Sequence, residues 1–142
     1  MARVAAAGAQ ALLGAFISTG NRFDRTLEGL EVLRVERGSV LCKLVVGTPH
    51  SNSYGTLHGG CTATIVDIVG TMAALTVDPL KPGVSVDMSL QYLSAARVGE
   101  TVCIEGKCLK MGGRLAFTEV KIYLGGDTSG KLCAMGSHTK AL

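Results

Sequence analysis

Asp67 is a carboxylate in surroundings that do not favour one. It lies among Thr64, Ile65, Val66, Ile68 and Val69, the single charge in the apolar stretch from Cys61 to Val77. A carboxylate buried there loses its hydration, at a cost of roughly several kcal/mol unless it is paired or hydrogen-bonded. A group kept at that cost suits a general base or a nucleophile. The alternatives are an exposed stripe of the helix, or an Asp that caps a neighbouring loop.

His58-Gly59-Gly60 opens the same stretch. Glycines at a helix start let the backbone approach a ligand closely, and the free N–H groups there lie at the positive end of the helix dipole. That geometry suits an oxyanion developing at a carbonyl, although Gly-Gly is equally an ordinary loop-to-helix junction. Asn52, in His50-Ser51-Asn52, reads by itself as a turn residue, and Ser85 as a strand serine facing solvent. A Ser-His-Asp hydrolase is disfavoured, because the GxSxG elbow is missing and no serine sits on a strand-to-helix turn. The five cysteines (Cys42, Cys61, Cys103, Cys108, Cys133) are odd in number and contain no CxxC pair. They read as reduced thiols of an intracellular protein, and no metal site is expected.

The elements that must position these residues follow from periodicity. Leu30 to Glu36 and Ser39 to Val46 read as two strands separated by Arg37-Gly38, and residues 47 to 57 form a polar, turn-rich loop. Cys61 to Val77 is a helix, too short for the ~20 residues of a membrane span. It is apolar nearly all round and therefore buried on most sides, and Asp78-Pro79 and Lys81-Pro82-Gly83 terminate it. From Val84 to Tyr92, Val86, Met88, Leu90 and Tyr92 alternate with Ser85, Asp87, Ser89 and Gln91, a period of two. Thr101 to Met111 and Arg114 to Leu124 form a hairpin across Gly112-Gly113, and Lys131 to Thr139 is the last strand. The fold class is α+β, an antiparallel sheet wrapped around one long central helix, because nothing else is large enough to cover that helix. One sheet covers only part of a helix, so an oligomer is expected.

The chain of 142 residues suits one domain and leaves no room for a separate cofactor domain. Its 19 glycines favour a sheet with many tight turns. A net charge of +3 without a concentrated basic face excludes a general nucleic-acid binder. At the N-terminus, Ala9, Leu12, Leu13, Phe16 and Ile17 form an amphipathic helix face, with residues 1–9 expected to be disordered. Arginines without an acid before Asp24 also give this segment the look of a weak mitochondrial presequence. The cytoplasm is the default compartment, with mitochondrial association as the alternative.

Four ordered blocks, HSNSYGTLHGGCTATIVD (50–67), PGVSVDMSLQYLSAARVGE (82–100), GRLAFTEV (113–120) and SGKLCAMGSHTK (129–140), together resemble the hotdog-fold thioesterases of the PaaI and 4-hydroxybenzoyl-CoA thioesterase type. The resemblance covers nearly everything from about residue 10 onward. It implies that Asn52 and the Gly59 N–H polarise a thioester carbonyl, that Asp67 activates or orients water, that Ser85 helps to place it, and that His58 lies near the sulfur leaving group. It also implies coenzyme A contacts at Asp87, at Tyr92, Leu93, Ser94, Ala95, Ala96 and Arg97, and at Lys110, Met111, Gly112, Gly113, Arg114 and Leu115. Arg97, Lys110 and Arg114 are chemically suited to nucleotide phosphates. Ala95 stands where relatives often carry proline.

In such a family the site forms across a dimer, dimers pair into tetramers, and Asp67 and Asn52 serving one substrate come from different subunits. The implied reaction is hydrolysis of medium- to long-chain fatty acyl-CoA to free acid and CoA, either by water that Asp67 deprotonates or by direct attack of Asp67 through an anhydride. Coenzyme A is then part of substrate and product, and no separate cofactor is needed. A hotdog hydratase or dehydratase using His58 with Asp67, and a non-catalytic acyl-CoA-binding protein, are the rival readings.

Overall fold

The structure, a computed structural model, describes residues 21–142. The amphipathic face drawn from Ala9 to Ile17 and the disorder expected of residues 1–9 lie outside the described residues. A 3-10 turn, Phe23–Leu27, leads into strands β1 (Glu31–Glu36) and β2 (Ser39–Val45), and a second short 3-10 turn covers Thr48–His50. Helix α1 (Gly59–Val77) follows, then β3 (Val84–Tyr92), β4 (Thr101–Met111), β5 (Leu115–Leu124) and β6 (Leu132–Ala141). The six strands form one antiparallel sheet in the order β1-β2-β4-β5-β6-β3, so β1 and β3 are its edges.

Helix α1 begins two residues earlier than its apolar run because His58 caps it: Nδ1 of His58 accepts from the Gly60 N–H at 2.8 Å. A side-chain acceptor there satisfies one of the otherwise orphaned N–H groups of a first turn. At the other end Asp78 turns extended before Pro79, which has no N–H to continue the ladder. The β1–β2 turn closes over this end, where the Arg37 guanidinium donates to the Val77 carbonyl at 3.2 Å. The helix is long and apolar enough to cross a membrane, but most of it is buried inside the fold.

Burial all round α1 depends on close approach to the sheet, and glycine permits it. A Cβ on Gly106 of β4 would lie 2.7 Å from Val69 Cγ1 and 3.0 Å from the Val69 carbonyl oxygen. One on Gly136 of β6 would lie 2.9 Å from Val66 Cγ1, and one on Gly70 of the helix 2.7 Å from Thr118 Oγ1. The backbones therefore meet directly, and Ile65, Val66, Val69 and Met72 pack with Val40, Ile104, Val120 and Ile122 into the core. Gly106→Ala is expected to destabilise the fold by about 1–3 kcal/mol, since the contacted atoms include backbone that cannot rotate away. A lowered urea midpoint with an unchanged slope is the expected reading, and an unchanged midpoint would show that α1 can lift off β4 at no cost.

Strand β3 departs from the expected alternation. Ser85 pairs with Lys140 but Asp87 with Thr139, so the register shifts across Val86. Cross-strand partners share a face, and an extra residue in one strand exchanges the faces beyond it. Ser85 therefore lies on the helix side with Met88 and Leu90, while Asp87, Ser89 and Gln91 take the outer face. The alternation read from the sequence grouped Ser85 with Asp87; the bulge overturns that grouping.

Candidate active site

Two groups of the anticipated residues assemble, at opposite ends of β3. The first forms around Asp67. Its carboxylate Oδ1 lies 3.8 Å from His138 Nδ1, and His138 Nε2 lies 2.7 Å from Ser85 Oγ. Expected to be buried, the Asp67 side chain is instead 48% exposed, whereas His138 beside it is fully enclosed. The reason is the sheet order: β6 carries His138, the edge strand β3 lies beyond it, and among the described residues no further strand covers that stripe of the helix.

Two rungs join α1 to β6 here. Asp67 and Thr71, one helical turn apart, share a face, as do His138 and Lys140 on the strand. Lys140, 5% exposed, donates from Nζ to Thr71 Oγ1 at 2.7 Å, and the Thr71 hydroxyl donates to the Asp67 carbonyl at 2.7 Å. Burial pushes the His138 imidazole below the ordinary histidine range, with Asp67 opposing that shift and Lys140 adding to it. Burial likewise lowers the Lys140 ammonium, and Asp67 opposes it.

The second group forms at the helix start. The Gly59 N–H has no carbonyl four residues earlier to bond within the helix, and the Tyr92 hydroxyl donates to the Gly59 carbonyl at 2.9 Å. Tyr92, expected among coenzyme A contacts, thus braces the helix start from the far end of β3. His58, with Nδ1 accepting from Gly60, holds its ring proton on Nε2, and it lines a cavity of about 330 Å³ with Phe23, Pro49, Ser51, Cys61 and Thr64. Burial pushes the Cys61 thiol up to about 11, so the first-turn position does not make it a thiolate nucleophile.

Asn52 organises its own loop: Oδ1 accepts from the N–H groups of Tyr54 at 3.0 Å and Thr56 at 3.1 Å, and Nδ2 donates to Thr56 Oγ1 at 2.9 Å. An amide NH₂ carries two hydrogens, so that bond leaves a second donor direction. The loop is pinned to the segment after β3, because the Leu57 N–H donates to the Ala96 carbonyl and the Val98 N–H to the Gly55 carbonyl. Leu93, Ala95 and Arg97 are exposed here and Ser94 is half-buried, its hydroxyl donating to the Leu132 carbonyl. Ala96 is 2% exposed, so its side chain packs inward and only its backbone serves the loop. Lys110, Met111, Gly112, Gly113, Arg114 and Leu115 form the β4–β5 turn, where the Arg114 carbonyl accepts from the Leu142 N–H. Leu115 pairs with Ala141, which also pairs with Val84, so this turn belongs to the Ser85 end of β3. Asp87 is exposed on the outer face.

Neither His138 nor Lys140 was singled out in the sequence. The signal available was the strand itself, since Gly136, His138 and Lys140 alternate onto the face that meets an apolar helix. Two ionisable side chains there need a partner, and Asp67 was the one charge on that helix.

Comparison with known proteins agrees with this architecture. The thioesterase superfamily model matches residues 54–131. Human acyl-coenzyme A thioesterase 13 is 44% identical over 126 residues, 89% of each chain. The zebrafish thioesterase superfamily member 2 crystal structure superposes with a TM-score of 0.86 at 43% identity, covering 93% of this chain and 94% of that one. The Escherichia coli PaaI protein shares the fold at 15% identity with a TM-score of 0.75, covering 96% and 95%. One long helix on a six-stranded antiparallel sheet is the hotdog arrangement, and with the matched segment running from Tyr54 through Gly59, Asp67 and Ser85 to Lys131, this chain belongs to the thioesterase superfamily.

Proposed function

We propose that the protein hydrolyses medium- to long-chain fatty acyl-CoA thioesters to the fatty acid and CoA. The observation that carries this reading is the half-exposed Asp67 carboxylate, backed by His138 and Ser85, in a thioesterase-superfamily chain 44% identical to an acyl-CoA thioesterase. Asp67 takes a proton from water as the water oxygen adds to the thioester carbonyl carbon. The resulting oxyanion accepts from the Gly59 N–H and from Asn52 Nδ2. Collapse breaks the C–S bond, and the CoA sulfur leaves beside His58 and takes up the proton that Asp67 removed from water, which returns Asp67 to its carboxylate while the acid product ionises to solvent. Ser85 holds the water, and Arg97, Lys110 and Arg114 meet the nucleotide phosphates.

These parts belong to two copies of the chain. Gly59 and Asp67 are eight residues apart on one helix, about 12 Å at 1.5 Å per residue, whereas water and carbonyl must touch. Ser85 and Tyr92 are likewise about 24 Å apart along β3 at ~3.4 Å per residue. Antiparallel pairing of two β3 edges about a two-fold axis sets the Gly59 end of one copy beside the Asp67 end of the other. The exposed Val84 and Val86 on β3 favour such a partner. Light scattering at micromolar concentration is expected to give a dimer or its tetramer, and a monomer would remove the shared site.

One observation favours a second reading. Ser85, His138 and Asp67 stand in the order of a nucleophile–base–acid triad, despite the missing elbow, and Ser85 as nucleophile would form an acyl ester. Thiol release across acyl chain lengths, with mass spectrometry of the enzyme under turnover, separates the readings. Release without an ester on Ser85 supports water as nucleophile, an ester on Ser85 replaces it, and no release from any chain length removes both.

A further inference from the structure

We infer, resting on the reading of Asp67 as the carboxylate that works on water, that Lys140 is a positioning residue of this site: its buried ammonium holds His138 neutral between Asp67 and Ser85. A lysine placed at 5% exposure loses its hydration, and in return it makes one hydrogen bond, to Thr71 Oγ1. An apolar residue would fill the same position more cheaply, so the charge has a task. The groups that face its surroundings identify that task. From α1 come Asp67 and Thr71, from β3 Ser85, and from β5 Thr118, whose hydroxyl donates to the His138 carbonyl at 2.9 Å; the Asp87 carboxylate acts on His138 from the outer face of the sheet. On β6 itself Lys140 is two residues from His138 and on the same face.

An imidazolium at His138 would form a full ion pair with Asp67, whose carboxylate lies 3.8 Å from Nδ1. That pair would satisfy the charge with which Asp67 draws a proton from water. Asp67 and Asp87 both favour the imidazolium, while enclosure and Lys140 oppose it. Lys140 is the only one of these opposing influences that a single side-chain charge supplies. With His138 neutral, its ring has one N–H and one acceptor nitrogen. It can then hold Ser85 through Nε2 and leave Asp67 negative.

The test is a histidine titration of the full-length protein labelled in its imidazole carbons. Only three histidines are present, and His138→Gln assigns the third signal. In the wild type, His138 is expected to titrate below the ordinary histidine value; a midpoint at or above that value overturns the inference without any variant. In Lys140→Gln, which keeps a hydrogen-bonding group for Thr71, and in Lys140→Met, the midpoint is expected to rise. Lys140→Arg, which keeps the charge, is expected to hold it near the wild-type position. A midpoint that stays or falls in the folded neutral variants reduces Lys140 to a structural role. The acid limb of kcat should move upward with the His138 midpoint while KM changes less than about two-fold, as expected for a residue remote from substrate binding. The titration does not depend on turnover. Failure of thiol release or an active Asp67→Asn enzyme therefore removes the parent reading, whereas an unmoved His138 midpoint removes this one alone.

Discussion

Asp67→Asn is expected to lower kcat for acyl-CoA hydrolysis by about 10³-fold, within the range that a positioned general base contributes. KM should change little, because the substitution removes an interaction realised only as water attacks. Asparagine keeps the size of the side chain and a hydrogen-bonding oxygen toward His138, so the loss reports the charge and proton affinity of the carboxylate rather than a collapsed site. The half-exposed position of Asp67 makes the test clean. No core packing depends on its side chain, and the variant should unfold at the wild-type temperature. Asp67→Ala should be as inactive. Full activity in either variant would falsify the mechanism. The parallel Ser85→Ala enzyme is expected to fall by a smaller factor, since an orienting hydroxyl is lost but no proton acceptor is.

Asn52→Ala alone is expected to cost roughly 10²-fold in turnover, as loss of one oxyanion donor does. The larger expected effect is a recovery. If Asn52 and Asp67 of one site come from different copies, mixing the two inactive enzymes Asn52→Ala and Asp67→Asn under exchange produces heterodimers in which one site has both groups intact and the other has neither. With random exchange about half the dimers are mixed and one of their two sites works, so about a quarter of wild-type activity should return. A protomer-contained site gives no recovery at any mixing ratio. Because the Asn52 side chain also closes its own loop through Tyr54 and Thr56, Asn52→Ala by itself could lose activity through a displaced loop. Complementation removes that ambiguity, since the recovered site carries an intact Asn52.

Much of the fold could be read from pattern alone. The limits of β3 and β4 agree with the alternating run from Val84 to Tyr92 and the strand read from Thr101 to Met111, and the other strands agree within two residues. Helix α1 was expected from Cys61 and starts at Gly59, because a histidine cap is a weaker signal than Ser, Thr, Asp or Asn. Asp67 stands out as the one charge in an apolar helix and Gly59 as a glycine at its start, whereas Asn52 and Ser85, by themselves an ordinary turn residue and strand serine, are marked only by the resemblance of the ordered blocks to the hotdog thioesterases. The half-exposure of Asp67 was not visible, since it depends on where the sheet ends rather than on the helix that carries the residue.

The sequence by itself determined the apolar helix with its one charge, the alternating strands around it and the order Asn52, His58-Gly59, Asp67, Ser85. These are local properties, set by periodicity, caps and turn residues within a few positions of each other. Tertiary structure alone decided that β6 lies between β5 and β3, bringing His138 and Lys140 under Asp67 and Thr71 from some 70 residues away. It also decided that the irregularity at Val86 turns Ser85 toward His138. Strand order and register come from long-range pairing that no local window records, and a one-residue slip exchanges the two faces of a strand. The lone carboxylate and its serine could thus be found in the chain, but the histidine that joins them and the lysine behind it could be found only in the fold.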